Sequence, residues 1–440
     1  MRGSVIRSRC VEQKRSFSCS RAKVFNSIFM SSSFITALDI GTTSIKVAVA
    51  ENIRGRAVLR FVHREESRGV RKGAIADVTE ASHVISRVLG EVRKVAKPAL
   101  KNVYLSIGTP HAKVQNSRGI VAVSRADMEI YPDDVDRAIK ASQAVNLLPN
   151  RTIIHNVTRE FIVDGVGDIP DPLGLSGSRL EVVSFVIDAF TPHVKNLMRV
   201  VELAGGRISG LVWAPLVASR ASLSRAQKEL GTLLIDIGSG TTGMTVYEEN
   251  KLLSLAKFPV GSSNVSNDLA VGLRVPVDAA EELKLGYGYA LAREVSSKDI
   301  IELRKFAPEV KGTTSRRYVS EIIESRMAEI LEFVGEELKA IGKAGKLPGG
   351  VVLVGGGAKL PGLTELVKQE LRLSSKIGAT VGFTPGNGEF SGYLEDPEFA
   401  TVLGLVLWGA EEGEWESAHP LQNFKFELKT VKELFKYFLP

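Results

Sequence analysis

The sequence predicts an α/β protein built on an internal duplication, and three segments carry that prediction. Residues 34–50 read as an apolar strand, an Asp-Ile-Gly-Thr-Thr turn and a second apolar strand, a β-hairpin of a buried sheet. Residues 233–247 repeat the pattern 197 positions later, with Asp-Ile-Gly-Ser-Gly-Thr-Thr at the turn. One such hairpin is ordinary; two point to duplication of whole domains. Residues 351–363 are the third signal: four apolar residues, a triple-glycine turn and the start of a helix.

The remaining elements follow in order. Residues 78–95 have helical spacing, 103–107 and 119–123 read as strands, and 132–145 as a helix. Residues 151–163 and 180–189 alternate as strands, and 194–204 form a helix that runs into Gly205 and Gly206. Beyond the second hairpin, 278–285 and 319–341 are the longest helical patterns, the latter with Ile322, Ile323, Ile330, Leu331, Val334 and Leu338 on related faces. Residues 401–408 read as a buried element. Strands and helices alternate throughout, the pattern of the α/β class.

Composition excludes several functions. With 440 residues, 44% hydrophobic and 24% charged, the chain reads as globular with two to four domains. No apolar run reaches the roughly 18 residues of a spanning helix. Cys10 and Cys19 are the only thiols, so no disulfide framework, thiolate zinc site or Cys nucleophile is expected after them. The six histidines show no pair at ligand spacing. The net charge of +7 invites nucleic acid, but residues 1–33 hold seven bases against Glu12, +6 of that total, which leaves +1 for the rest. No nucleic-acid partner is expected. Residues 1–33, rich in Arg and Ser, are expected to be a disordered basic extension or an upstream start ahead of Met30, in preference to an organelle presequence.

The turns suggest chemistry. Asp39 and Asp236 end their strands, and Gly41, Gly238 and Gly240 then let an anion approach backbone N–H groups, with Thr42, Thr43, Thr241 and Thr242 as hydroxyl donors. A carboxylate repels a phosphate unless a cation lies between them, which suits Mg²⁺ held through water by Asp39 and Asp236. Lys46 is the base near the first turn that could reach a phosphate as a point charge. Gly355, Gly356 and Gly357 would let a flat ring or sugar lie on backbone at a strand's carboxyl end. Without a following Lys and Ser/Thr this turn is not a P-loop. Either hairpin alone is equally a tight turn capped by its Asp; the pair with the triple-glycine turn points to a nucleotide.

Two Asp-Ile-Gly hairpins and a later Val-Gly-Gly-Gly turn, in this order, resemble the phosphate loops and adenosine motif of the actin/Hsp70/sugar-kinase superfamily. Within it the chain resembles the bacterial FtsA family of cell-division proteins over residues 34–440, with further matching segments at 103–108, 115–120, 156–163, 174–177 and 280–284. The resemblance implies an actin-like fold, a duplicated ribonuclease H-like two-lobed ATPase with ATP and Mg²⁺ in its cleft. It implies a lobe 1 core from 34–76 and 166–232, an FtsA-type inserted subdomain at 77–165, and a lobe 2 core from 233–270 and 346–410. A lobe 2 subdomain at 271–345 would cover the nucleotide and bind the tail of FtsZ, the tubulin-like division protein. By the same resemblance, Asp39, Gly41, Thr42, Thr43 and Lys46 match the first phosphate loop, and Asp236, Gly238, Gly240, Thr241 and Thr242 the second. Glu281 and Lys284 match the helix that touches ribose and adenine, although a solvated helix face explains them equally well. Gly355, Gly356 and Gly357 match the adenosine loop.

Actin-like ATPases often place Glu or Gln before a Pro in the connecting segment to orient the attacking water. Here Trp213-Ala214-Pro215 puts Ala214 at that position. No catalytic residue is expected beyond the two acids on magnesium-bound water, and hydrolysis should be slow or negligible, because losing such a group costs about 10²–10⁴ in rate.

Residues 411–423, with Gly413 and Pro420, read as a linker. From Phe424 onward, Leu428, Val431, Leu434, Phe435, Phe438 and Leu439 share one arc of a helix, flanked by Lys425, Lys429, Lys432 and Lys436, with Glu427 out of place. Residues 424–440 suit an amphipathic helix on an anionic membrane, the alternative being a helix packed on its own domain. FtsA-like proteins end in such a helix. The expected function is therefore an actin-like ATP-binding protein that polymerises on the cytoplasmic face of the cell membrane at the division site and anchors FtsZ filaments, the Z-ring. Arg316, Arg317 and Arg326 are the candidates for an acidic FtsZ tail, ordinary exposed helix charges being the alternative. The alternative function is a PilM-like ATP-binding scaffold of pilus assembly, which lacks the terminal helix. A sugar kinase would need an acidic base facing an acceptor pocket, and none stands out.

Overall fold

The computed structural model describes residues 33–53, 56–383 and 389–418. The basic extension before Ser33 and the expected membrane helix at 424–440 lie outside the described residues. Two five-stranded sheets share one plan. In the first the order is Ile208–Trp213, Val103–Ile107, Ser33–Ile40, Ser44–Ile53 and Arg56–Glu66. In the second it is Ser375–Ile377, Val351–Val354, Thr232–Ile237, Thr242–Glu248 and Lys251–Phe258. Each sheet centres on a strand that ends in Asp-Ile, pairs antiparallel with the second arm of its hairpin, and pairs parallel with a strand reached by crossover. The duplication is thus one of whole sheets.

Alternation along the first hairpin sorts its residues into two cores. Leu38, Ile40, Val47 and Val49 face one side, where the helix Val78–Ala96 buries Val84, Ile85, Val88, Leu89 and Val92. Ala37, Ala48 and Ala50 face the other side, and these small residues admit the helix Ala400–Ala418 through Val402, Leu403, Leu405 and Val406. In the second lobe Leu233, Ile235 and Ile237 pack on a helical subdomain of Ser262–Leu273, Val277–Tyr287 and Arg316–Ala340.

A third sheet, ordered Lys113–Ala122, Arg179–Phe190, Arg151–Val163 and Val166–Ile169, carries the helix Pro132–Ser142 on one face. The expected boundaries of the inserted subdomain, 77–165, differ from this arrangement. Helix Val78–Ala96 and strand Val103–Ile107 lie in the first lobe, whereas strand Arg179–Phe190 lies in the third sheet. Apolar period reveals that a segment has a buried face, but not which sheet takes it.

The last helix also runs further than the linker reading allowed, since Ala400–Ala418 extends through residues 411–418. Gly413 alone costs a helix only about 1 kcal/mol, its neighbours are mostly Glu and Ala, and Pro420 comes after the end. Among the described residues no helix is long and apolar enough to cross a membrane.

Candidate functional site

The two hairpin turns are built alike. Gly41 N–H donates to Ser44 O at 3.1 Å and Gly238 N–H to Thr241 O at 3.0 Å. They also meet each other: a Cβ on Gly240 would lie 2.9 Å from Thr42 Oγ1 and 3.2 Å from Lys72 Cα, in the small hairpin Val70–Ile75 that abuts both turns. Thr42 Oγ1 in turn accepts from Gly73 N–H at 3.3 Å. The expected phosphate loops therefore face one another across the junction of the lobes.

Asp39 accepts a hydrogen bond from Ser106 Oγ, and Asp236 one from Thr401 Oγ1 at 3.4 Å. Burial pushes the Asp236 carboxyl up; Lys257 opposes that shift, and the negative charge of Asp39 adds to it. Asp236 is thus poorly solvated and within electrostatic reach of the first aspartate.

Lys46 lies directly across the sheet from Asp39 and is buried, with Nζ 3.3 Å from Glu398 Oε1. Glu398 also accepts from Arg64 Nε at 3.0 Å and from Lys359 Nζ at 3.2 Å. It stands in the turn Pro397–Phe399 ahead of the last helix, beside the triple-glycine loop, where Gly355 N–H donates to Pro397 O at 2.8 Å.

The three glycines of that loop differ. Gly355 has φ +84°, and a Cβ there would sit 2.4 Å from Asp236 Oδ1. A Cβ on Gly357 would sit 2.4 Å from Ile237 Cγ2. Both are glycine because the loop presses on the second Asp strand. Gly356 alone opens outward, with Glu398 Cγ 3.9 Å from its Cβ position, and is the one onto which a ring or sugar could settle.

Helix Val277–Tyr287 brings Glu281 and Lys284 to the edge of the second turn. Lys284 Nζ donates to Glu281 Oε2 at 2.7 Å, to Ser266 Oγ at 3.0 Å and to Ser262 O at 3.2 Å, and Ser262 N–H donates to Gly238 O at 2.9 Å. Lys284 is 9% exposed, so it is no part of a solvated face. Thr43 and Thr241 stay at the turns. Thr242 does not face the site: it is fully buried and its hydroxyl donates to Val260 O at 2.9 Å, because strand alternation turns it from the cleft.

Ala214 begins the helix Ala214–Ser222 and is 3% exposed, so no polar side chain stands at the position from which water would be oriented. Next to it, Trp213 N–H, on an edge strand of the first sheet, donates to Nε2 of His155 from the third sheet at 3.1 Å. Burial pulls His155 down to about 4.

The three arginines expected at a partner surface are engaged internally. Arg316 Nε donates to Tyr287 O at 3.0 Å, Arg317 Nε to Ala292 O at 3.3 Å, and Arg326 grips Asp268 through Nε and Nη2, with Nη1 on Glu329. Sequence reading missed Glu398, Ser106, Thr401 and Lys257. The one available signal was the Asp396-Pro397-Glu398 turn; the others reach the cleft through sheet register or helix packing that no local pattern reports.

A duplicated sheet with matched Asp turns meeting across a cleft defines the actin-like ATPase fold. Solved structures share it: the PilM–PilN type IV pilus biogenesis complex, with TM-score 0.61 and 17% identity over 86% of this chain and 98% of that one, and MreB 5 of Spiroplasma citri bound to AMPPNP, with TM-score 0.52 and 13% identity over 88% and 99%. Within that class, the chain belongs to the family of the cell division protein FtsA. The family pattern described as "Cell division protein FtsA" matches residues 233–404, and "SHS2 domain inserted in FTSA" matches residues 109–187, which take in most of the third sheet. The FtsA of Bacillus subtilis is 34% identical over 90% of this chain and 88% of its own length, and that of Borreliella burgdorferi 34% over 87% and 92%. The Escherichia coli protein is 28% identical over 86% and 90%.

Proposed function

We propose that this actin-like cell-division protein binds ATP between its lobes, polymerises, and tethers FtsZ filaments to the cytoplasmic face of the membrane at the division site. The observation that carries the nucleotide reading is the meeting of the two Asp turns, with Thr42 of one against Gly240 of the other. MreB 5, which shares the fold, is seen with AMPPNP. In this reading Gly41, Thr42, Thr43, Gly238, Gly240 and Thr241 cradle phosphates, Lys46 adds charge, Gly356 takes the adenosine, and Glu281 and Lys284 border it.

The donor set fits a magnesium ion, because the Asp236 carboxylate, which burial and the charge of Asp39 both disfavour, is stabilised by a cation held between the two acids. Asp39 and Asp236 would hold it through water, and when bound it supplies charge neutralisation for the phosphates. With Ala214 in place of a water-orienting side chain, the nucleotide acts as a conformational switch and hydrolysis is slow. Steady-state turnover above roughly 1 s⁻¹ overturns that part.

Helical subdomain 271–345 is the proposed seat of the FtsZ tail, with Arg316 and Arg317 better suited than Arg326, whose guanidinium is spent on Asp268 and Glu329. Residues 424–440 are the proposed membrane helix, weak singly and firm when a polymer links many copies. Pelleting with anionic liposomes and Mg-ATP, comparing the full chain with one stopped at Asn423, tests the tether. Full-length protein in the pellet with the truncation in solution supports it; neither pelleting overturns it and favours a cytosolic scaffold.

A further inference from the structure

Across the second sheet Asp236 lies opposite Gly243, and Gly243 opposite Lys257. Directly opposed residues of antiparallel strands project from the same face, so Asp236 and Lys257 look into one space with a glycine between them. A Cβ on Gly243 would sit 3.2 Å from Pro215 Cγ, so the missing side chain admits the connecting segment between the two charged residues. The matching row of the first sheet is Asp39, Lys46 and Arg64. Both lobes therefore set cations beside their aspartate, on the second and third strands in the first lobe and on the third strand alone in the second.

The two lysines differ in their partners. Lys46 is already paired with Glu398. The Lys257 ammonium makes no hydrogen bond or ion pair among the described residues, yet it feels the charges of both Asp236 and Asp39. Burial is the larger influence on it and pulls its pKa down against those two acids. A half-buried ammonium with no direct protein partner, set in line with an aspartate at the edge of a phosphate turn, is free to take up the negative charge of a ligand. The face it occupies is that of Asp236, whose strand runs into the second phosphate turn.

We propose that Lys257 is a phosphate ligand contributed by the second lobe, which clamps the polyphosphate of a bound nucleotide from the side opposite Lys46. The proposal rests on the nucleotide reading above and adds a residue to it. A Lys held over a phosphate as a point charge needs only reach and charge, so Arg should substitute for it and an apolar chain of similar length should not.

The test is ATP binding by titration calorimetry to the full chain and to its Lys257→Met and Lys257→Arg variants, with the nucleotide-free unfolding temperature of each. The expected result is ATP binding about ten- to a hundredfold weaker in Lys257→Met and largely kept in Lys257→Arg. The nucleotide-free unfolding temperature of Lys257→Met should be unchanged or raised, because no partner is lost. ATP affinity unchanged in Lys257→Met overturns the proposal. A fall in ATP affinity accompanied by a lowered nucleotide-free unfolding temperature also overturns it, and makes Lys257 a structural counter-ion of the two aspartates. No ATP binding by the parent chain itself overturns the nucleotide reading and this inference with it.

Discussion

Glu398 holds Lys46 at 3.3 Å, and through that pair the turn ahead of the last helix grips the first Asp hairpin. The same carboxylate takes Arg64 from the first lobe and Lys359 from the segment after the triple-glycine loop, so one side chain bridges residues of both lobes. Burial works to raise its pKa, but Lys46, Arg64 and Lys359 overcome that and hold it at about 2, from an ordinary 4.5. A carboxyl depressed on folding stabilises fully above its unfolded pKa and loses that contribution as pH falls through the folded value. Glu398→Gln should therefore lower stability at pH 7 by about 1–3 kcal/mol. Chemical denaturation of both proteins should show the gap narrowing from pH 4.5 toward pH 2; a gap that stays constant across that range would argue against the charge.

His155 gives a prediction of the same sense in a higher pH window. Its pKa falls from 6.5 to about 4 on burial, where its ring accepts the Trp213 N–H. The unfolded chain takes up a proton between those values and the folded chain does not, so stability falls as pH drops from 6.5 to about 4 and the loss levels off below. His155→Gln, which retains an acceptor, should flatten that slope. Unfolding midpoints at pH 7, 5.5 and 4.5 measure it, and an equal slope in the variant would remove His155 as its source.

The triple-glycine loop offers an internal control. Gly355→Ala places a Cβ 2.4 Å from Asp236 Oδ1 at φ +84°, and should cost about 2 kcal/mol or more together with nucleotide binding. Gly356→Ala meets only the Glu398 side chain, Cγ at 3.9 Å and Cδ at 4.0 Å, and should fold normally while binding ATP more weakly. Thermal unfolding and ATP titration on the two variants check both halves. A Gly356→Ala protein with full ATP affinity would move the adenosine elsewhere.

Arg326 tests the partner surface. Its fork on Asp268 is partly exposed, so Arg326→Ala should destabilise by only about 1 kcal/mol, and Asp268→Ala in the same background should add little. Charge reversal at Arg316 and Arg317 should weaken an acidic FtsZ-tail peptide about tenfold or more, whereas Arg326→Ala should leave its affinity nearly unchanged. Fluorescence anisotropy with the peptide separates the two outcomes. Loss at Arg326 alone would shift the peptide site along helix Arg316–Ala340.

Much of this molecule was legible from residues close together in the chain. The two Asp hairpins, the triple-glycine turn and helices such as Val78–Ala96 and Arg316–Ala340 follow from apolar period and turn chemistry, which act over a few residues. The repetition of one hairpin announced the duplicated sheets, and the turn glycines with their aspartates marked the cleft. Local pattern could not tell that Val103–Ile107 joins the first sheet while Arg179–Phe190 joins the third, because any sheet can bury an apolar strand. Nor could it tell that Thr242 turns its hydroxyl to Val260, that Arg326 is already held by Asp268, or that Glu398 reaches Lys46. Those facts depend on register and on contacts between segments far apart in the chain. Lys257 is the sharpest instance: it reads as an ordinary strand lysine until two strand pairings set it in line with Asp236. Local period writes an element's face into the sequence, whereas the neighbour that meets that face is chosen only when the whole chain packs.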